Sequence, residues 1–409
     1  MFLTRLALTN YRNFTRMELD LPRGAVILVG DNAQGKTSLL EAVYFLATFT
    51  SFHTSSDRQL INFVAGRQPL AVGRIVADYK RGSKSHQIEI RIIQESNGIN
   101  GSTRVRKEIL LDGIKKKAHE AIGHFNAVLF LPQMLAIIEG TPADRRKYLN
   151  LALSQIVPNY AASLSAYNQA ITQRNALLKQ LNERGGDKDQ LDYWDDRITQ
   201  TGAHLIQTRI QAVQEIESLA ALIHKDLTRG AEILRLDYQP AYDPLPKKSG
   251  QLSLALDTPT DRSKFSQAEI AAGFHERLIE LRGQEIARGQ TIIGPHRDEL
   301  RFLTNTIDLG IYGSRGQART AMLALKIAEV AWMKEKTGHW PVLLLDEVLA
   351  ELDPHRREDL LTRLADSEQA LLTTTDLDLF TTEFVEKVVC WHVHGGRVET
   401  NFNFSDQQT

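Results

Sequence analysis

The sequence predicts an α/β protein in which a mixed sheet lobe and a parallel-sheet core are interrupted by an inserted helical arm. Three observations predict it. The apolar run Ala25-Val26-Ile27-Leu28-Val29 leads into a glycine-rich turn and then a helical pattern, the order expected of a buried parallel strand and its following helix. A long central stretch carries apolar residues at helical spacing. A second apolar run, residues 342–345, ends in the acid pair Asp346-Glu347.

Residues 3–8, Leu-Thr-Arg-Leu-Ala-Leu, alternate like a strand, and further strand-like segments lie between Ile88 and Ile114. Asp112-Gly113, flanked by Ile109-Leu110-Leu111 and Ile114, signals a hairpin, because a two-residue turn of this kind needs left-handed backbone that Asp and Gly tolerate. Residues 1–140 therefore read as the N-terminal half of the α/β unit. From about Pro142 the spacing becomes helical. Leu164, Tyr167, Ile171, Leu178 and Leu181 keep a three-to-four period that only Arg174 breaks. After a polar break at residues 182–187, a second pattern runs from Leu191 through Trp194, Ile198, Leu205, Ile206, Ile210 and Val213 to Ile223. The pair predicts a short antiparallel, coiled-coil-like arm. Residues 240–261, rich in Pro, Ser, Thr and Asp, read as a loop. A third helical pattern (Ile270, Phe274, Leu278, Leu281) leads to strand-like Thr291-Ile292-Ile293. The arm thus spans 141–288, and 289–409 returns to the α/β unit with a helix over about 314–334 and the strand at 342–345.

Composition removes several classes of protein. The 409 residues are 42% hydrophobic, enough for sizeable cores, and 49 Lys plus Arg against 50 Asp plus Glu leave a formal net charge of -1. No whole-molecule field advertises a polyanionic partner, so any nucleic-acid surface must be a local patch. Cys390 is the only cysteine and sits in an apolar run, which excludes a disulfide framework and favours a small buried thiol. No apolar run approaches the roughly 18 residues of a membrane span, and the N-terminus lacks the pattern of a cleaved leader. The expected setting is a bacterial-type cytoplasm.

Gly30-Asp31-Asn32-Ala33-Gln34-Gly35-Lys36-Thr37 fits the G-x-x-x-x-G-K-[ST] pattern between a strand and a helix that starts at Ser38. In such a loop the glycines let backbone N–H groups wrap phosphates, Lys36 reaches the β- and γ-phosphates, and the Thr37 hydroxyl ligates Mg²⁺. ATP and Mg²⁺ are the expected cofactors. At the end of the 342–345 run Asp346 is placed as the metal-side acid and Glu347 as the group that orients or deprotonates an attacking water. Ser314-Arg315-Gly316-Gln317 opens a helix upstream of that strand, with Ser314 at an N-cap position. In ABC-type ATPase heads a Ser-x-Gly-Gln signature lies too far from its own P-loop to touch the same nucleotide, and completes the site of a second head.

These motifs, in this order, resemble the RecF family of bacterial DNA replication and repair proteins, ABC-type P-loop ATPases of the structural-maintenance-of-chromosomes group. The resemblance rests also on Leu8-Thr9-Asn10-Tyr11-Arg12-Asn13, Pro142-Ala143-Asp144-Arg145-Arg146-Lys147-Tyr148-Leu149, Gly294-Pro295-His296-Arg297-Asp298-Glu299-Leu300 and Glu351-Leu352-Asp353-Pro354-His355-Arg356. It implies a weak, DNA-stimulated ATPase that forms a homodimer with ATP on single-stranded or gapped DNA. Slow hydrolysis would release it, and it would support recombinase loading and SOS induction together with recombination-mediator proteins. By the same resemblance Arg12 reaches the nucleotide's phosphates and Asp353 belongs to a loop crossing the dimer interface. Gln133 stands where the family more often has an acid, and a glutamine there suits the metal- and water-sensing loop of ABC heads. The switch histidine of transporter-type heads is absent from Leu371-Leu372-Thr373-Thr374-Thr375, which passes γ-phosphate sensing to a threonine such as Thr374 or to water. His53 stands where an arginine is expected and receives no role.

Arg104, Arg106, Lys107, Lys115, Lys116 and Lys117 gather on the two arms of the predicted hairpin, as a phosphate-tracking patch or as a solvated charged face. Arg145-Arg146-Lys147 reads as surface or as an interlobe salt bridge. The Gly294-Pro295 turn presents His296 and Arg297 together, a functional arrangement or a satisfied structural histidine, with function slightly favoured. Two rival readings remain: a transporter energy-coupling subunit, disfavoured by the arm and the missing switch histidine, and an ATP-gated scaffold with negligible hydrolysis.

Overall fold

The computed structural model describes residues 1–96, 103–245 and 261–400. Most of the loop expected at 240–261 lies outside the described residues. The chain divides into two compact units, Met1–Gln133 with Met333–Thr409, and Met134–Trp332.

The first unit contains two six-stranded sheets, with strands numbered along the chain. One is antiparallel: β2 (Phe14–Asp20), β1 (Phe2–Tyr11), β4 (Leu70–Arg81), β5 (Lys84–Ser96), β6 (Thr103–Leu111) and β7 (Ile114–Lys116), in that spatial order. Its inner face is the alternate set Leu6, Leu8, Ile75, Ala77, Ile88, Ile90 and Ile109, all buried, which is why these strands alternate in the sequence. The other sheet runs β15 (Arg397–Glu399), β14 (Val389–His394), β3 (Gly24–Val29), β13 (Gln369–Thr374), β12 (Val342–Asp346) and β8 (Ala127–Phe130). All its pairings are parallel except that of β14 with β15. Strands β12 and β13 are buried along their whole length, β12 as the apolar run Val342–Leu345 ending in Asp346 and β13 with Gln369, Thr373 and Thr374 buried beside its apolar centre.

Helix α1 (Lys36–Thr48) packs against β4 and β5 of one sheet and β8, β12 and β13 of the other. Being covered on both sides, it is apolar nearly all round, and its one acid, Glu41, is fully buried. The predicted hairpin forms between β6 and β7, with Asp112 at φ 48° and Gly113 at φ 79°. Cys390 on β14 is a half-buried free thiol whose pKa burial raises.

The second unit holds α2 (Pro142–Ile156), α3 (Tyr160–Arg184), α4 (Leu191–Leu227), α5 (Gln267–Arg288), most of α6 (Arg315–Thr337) and the antiparallel sheet β11 (Ile307–Asp308), β10 (Glu299–Thr304), β9 (Leu234–Gln239). Residues 289–332 therefore fold as one unit with the helical arm. The chain then returns to the first unit, where α7 (Pro354–Ala365) connects β12 to β13. The arm itself is a three-helix bundle, since α5 packs on both α3 and α4. Gly202 of α4 makes the close approach possible: a Cβ there would lie 2.9 Å from the Phe274 ring and 3.1 Å from Tyr167. Arg174, the break in the apolar spacing of α3, is fully buried and pairs with Asp195 at 2.6 Å and Glu285 at 2.7 Å, one acid from each of the other two helices. The expected strand at residues 291–293 is absent. Side chains take its backbone donors instead, Asn175 Oδ1 accepting from Thr291 N and Glu285 Oε1 from Ile292 N. Among the described residues no helix is long and apolar enough to cross a membrane.

Candidate functional site

The loop after β3 is held open by contacts that leave no room for side chains at its glycines. A Cβ on Gly30 would meet the Val393 carbonyl oxygen at 2.3 Å, and one on Gly35, at φ 120°, would meet Asn13 Nδ2 at 2.6 Å and the Phe14 ring. Gln34 fastens the loop from two directions. Its carbonyl accepts from Asn13 Nδ2 and Gly396 N, and its side-chain oxygen accepts from Gly395 N at 2.7 Å. The loop runs straight into α1, so backbone donors and the positive end of the helix face one space. Asp31, Asn32 and Ala33 are exposed around it, while Lys36 is buried beneath, its ammonium donating to the carbonyls of Gly30 at 2.6 Å and Asp31 at 3.0 Å.

Beside this loop stands the acid pair. Asp346 Oδ1 accepts from the Thr37 hydroxyl at 2.9 Å and from the Thr373 hydroxyl at 2.7 Å. Thr373 belongs to β13, the strand inserted between β3 and β12, so its hydroxyl reaches Asp346 from the neighbouring strand and also accepts from Glu347 N at 3.1 Å. Glu347 has left-handed backbone, φ 52°, and its carboxylate lies 3.5 Å from Lys36 Nζ with 42% of the side chain exposed. Thr374, named from sequence as one example of a sensing threonine beside water, is turned away: its hydroxyl donates to Asp376 O at 2.6 Å and caps Asp376 N. Thr373 occupies the place beside the acids.

A cavity of about 500 Å³ opens over these groups, lined by Asp31, Asn32, Ala33, Gln34, Gly35, Lys36, Thr37, Ser38 and Glu347 on one side and by Arg12, Asn13, Gln59, Ile61, Asn62 and Phe63 on the other. Arg12, at φ 51°, is clamped by the buried Glu41 through Nε at 2.7 Å and Nη2 at 2.6 Å, and Ser51 donates to the same carboxylate. The residues at 59–63 gave no signal in the sequence, because tertiary structure alone brings them here: Arg12 N donates to Leu60 O, and Asn62 Nδ2 donates to Arg12 O.

The sequence model of the RecF/RecN/SMC N-terminal domain matches residues 2–394. Proteins called DNA replication and repair protein RecF are similar over the whole chain. That of Roseiflexus castenholzii is 37% identical, covering 97% of this chain and 99% of its own length, and that of an Exiguobacterium species is 35% identical over 98% and 99%. The chain belongs to the RecF family. Among solved structures, the recombination mediator protein RecF of the RecFOR pathway, in its RecF-ATPrS and RecF-ATP forms, superposes with TM-scores of 0.81 and 0.80 at 28% identity, over 98% of each chain. An SMC head bound to the C-terminal winged-helix domain of ScpA shares the fold, with a TM-score of 0.50 and 13% identity. The fold is that of an ABC-type ATPase head, as the motifs predict.

Other residues singled out from sequence in this RecF-family chain lie outside the cavity wall. Gln133 is exposed in the 3-10 turn Pro132–Leu135 after β8, and is not among the lining residues. Asp353 is the N-cap of α7, accepting from Arg356 N at 3.1 Å and pairing with the Arg356 guanidinium at 2.9 Å. Ser314, Gly316 and Gln317 start α6 in the second unit, joined by reciprocal bonds between Ser314 and Gln317.

On the hairpin, Arg106 and Lys115 both bond Glu108, and Lys115 holds that carboxyl below its ordinary range. Lys107 points to the inner face and bonds Phe49 O. Arg104, Lys116 and Lys117 are exposed.

The Gly294-Pro295-His296-Arg297-Asp298 segment is structural. Asp298 is buried and accepts from Arg209 at 2.7 Å, from Tyr238 and from Ala241 N, while His296 Nδ1 bonds Tyr167 OH at 2.7 Å. Burial, with Arg297, Arg146 and Arg209 nearby, pushes His296 down to about 4, and its other ring nitrogen lies 3.3 Å from the Thr291 carbonyl within the same unit. Arg145 grips Glu299 with two bonds of 2.7 and 2.9 Å, and Arg146 donates to Asp298 O. Arg145 is thus an ion-pairing group within the second unit, and Arg146 a donor to its backbone.

Proposed function

We propose that this chain is an ATP-controlled DNA-binding protein of replication and recombinational repair, in which ATP joins two copies and slow hydrolysis parts them. ATP fits the cavity. Its phosphates would take the place of the Gly30 and Asp31 carbonyls as acceptors for Lys36, with the loop N–H groups and the start of α1 around them. The Thr37 hydroxyl and Asp346 carboxylate, already in contact, would hold Mg²⁺, which neutralises charge on the β- and γ-phosphates. Glu347 is the base that orients or deprotonates water, and Thr373 fixes the Asp346-Glu347 pair through one oxygen of Asp346 and the Glu347 N–H. Arg12, locked by Glu41, contributes a cation from the opposite wall.

The observation that carries the two-copy reading is at Gly316. Its position in the first turn of α6 costs up to about 1 kcal/mol relative to alanine. Among the described residues of its own copy nothing requires a glycine there, because an added Cβ would meet only Ser314 Oγ, at 3.9 Å. A glycine over open space at a helix N-terminus suits the close approach of an anion from outside. The γ-phosphate of a second copy's ATP is that anion, and Asp353 lies in the loop that crosses between copies. The names and pathway of the relatives support DNA and recombination-mediator proteins as partners, with Arg104, Arg106, Lys115, Lys116 and Lys117 as the candidate phosphate-contacting face.

Mass in solution with ATP, with ADP and with ATP plus gapped DNA tests this. The wild-type chain is expected to dimerise with ATP only, Lys36→Met to lose nucleotide binding, and Ser314→Arg to bind ATP yet stay monomeric. An ATP-driven dimer of Ser314→Arg would refute the reading. Turnover that is absent with and without DNA would favour an ATP-gated scaffold instead.

A further inference from the structure

The first turn of α6 is held by a residue outside the signature. The Ser314 N–H donates to Gln317 Oε1 at 3.0 Å, and the Gln317 N–H donates to Ser314 Oγ at 3.2 Å. With its oxygen committed to Ser314, the Gln317 amide presents Nε2 to Glu232 Oε1, 2.8 Å away. A flipped amide would set two acceptors against each other at Glu232 and leave the Ser314 N–H facing an NH₂ group, so this arrangement is the only one that satisfies all three residues.

Glu232 sits in the short link between α4 and β9. Its second oxygen is 3.6 Å from Nε2 of His224, fully buried in the last turn of α4. Gly230, at φ 80°, closes that helix by donating to Lys225 O at 2.7 Å, which fixes where the link begins. Farther along the same pair of helices, Trp332 Nε1 of α6 donates to Glu215 Oε2 of α4 at 2.7 Å. The signature helix is therefore held at two places, by Glu215 of the long helix and, next to Ser314, by Glu232 of the link that follows it.

We propose that Glu232 is a positioning residue for the signature: it fixes the Gln317 amide, Gln317 fixes Ser314, and the arm thereby sets how well two copies close on ATP. The inference rests on the reading that Ser314 acts on nucleotide held by a second copy. Ser314 Oγ accepts from the Gln317 N–H and keeps its own proton to donate to a phosphate oxygen. Without Glu232, the Gln317 side chain regains rotamer freedom, the reciprocal cap loosens, and each closure of the dimer must order it again. Because a symmetric interface uses the contact twice, the loss counts twice.

Glu232→Ala, Glu232→Ser and Glu232→Gln in the full-length chain separate the possibilities. Three quantities are read: nucleotide affinity of the monomer, thermal unfolding, and the ATP-dependent dimer constant by sedimentation. Alanine and serine, neither of which reaches Gln317, are expected to leave nucleotide affinity unchanged and to weaken the dimer about 100-fold, roughly tenfold per contact. Glutamine, whose amide oxygen still accepts from Gln317, is expected to stay within about threefold of wild type, a rescue that a purely structural or charge effect would not give. Unchanged dimerisation of the alanine and serine variants overturns the positioning role. So does a glutamine variant as weak as alanine. A wild-type chain that remains monomeric with ATP overturns both this inference and the two-copy reading beneath it.

Discussion

Gly316 carries more information than its size suggests. In the isolated copy it is a helix residue with open space above it, so alanine should fit without strain and reduce the freedom of the unfolded chain. Gly316→Ala is therefore expected to hold or slightly raise the thermal midpoint while weakening the ATP-dependent dimer by about tenfold or more. A variant that loses stability and dimerisation together would show that the glycine serves its own fold. Thr373 is the converse case. The run Thr373-Thr374-Thr375 offers three equal hydroxyls in the sequence, and only the pairing of β13 with β12 decides that the first lies against Asp346 while the second turns to Asp376.

At the scale of elements, α3, α4 and α5 are legible from apolar spacing because each helix must bury one stripe. The misfit in α3, Arg174, becomes intelligible only in three dimensions. It is fully buried with Asp195 and Glu285, and Arg282 from α5 adds a second cation to Asp195 at 2.6 Å. Arg174→Met leaves Glu285 without its guanidinium partner and is expected to cost about 3–5 kcal/mol, read by denaturant unfolding of the full chain. A loss within about 0.5 kcal/mol would mean that Glu285 is neutralised by some other route. The strand expected at 291–293 failed for a related reason. Its β-branched residues satisfy a propensity, but side chains of α3 and α5 capture its backbone donors before a neighbouring strand can. The Gly-Pro-His-Arg-Asp segment likewise read as a functional turn, because sequence shows a histidine and an arginine side by side and conceals the buried Arg209 that Asp298 serves.

For the whole molecule, a net charge of -1 means that the proposed DNA binding would have to rest on a local surface. Arg106 and Lys115 share Glu108 and Arg104 stands opposite Glu95 in the ladder, whereas Lys116 and Lys117 are exposed at the end of β7 and just beyond it. Replacing Lys116 and Lys117 together with alanine should weaken binding equally across DNA sequences and reduce the slope of log affinity against log salt by about two, one for each phosphate left without its lysine. Fluorescence anisotropy across a salt series measures it, and an unchanged slope would move the DNA surface elsewhere.

By itself the sequence determined the α/β class, the inserted helices, the glycine-rich turn between a strand and a helix, and the place of the acid pair. These depend on local chemistry: glycines where the backbone leaves no room for a side chain, a lysine and a threonine at fixed spacing, and acids at the end of an apolar strand. Only the tertiary structure decided that Thr373 supports Asp346, that Glu41 locks Arg12, that residues 59–63 complete the cavity wall and that Glu232 holds Gln317. Each of these joins residues distant in the chain, and the energy of a hydrogen bond or ion pair depends on atoms meeting within about 3 Å, a condition that no local pattern encodes.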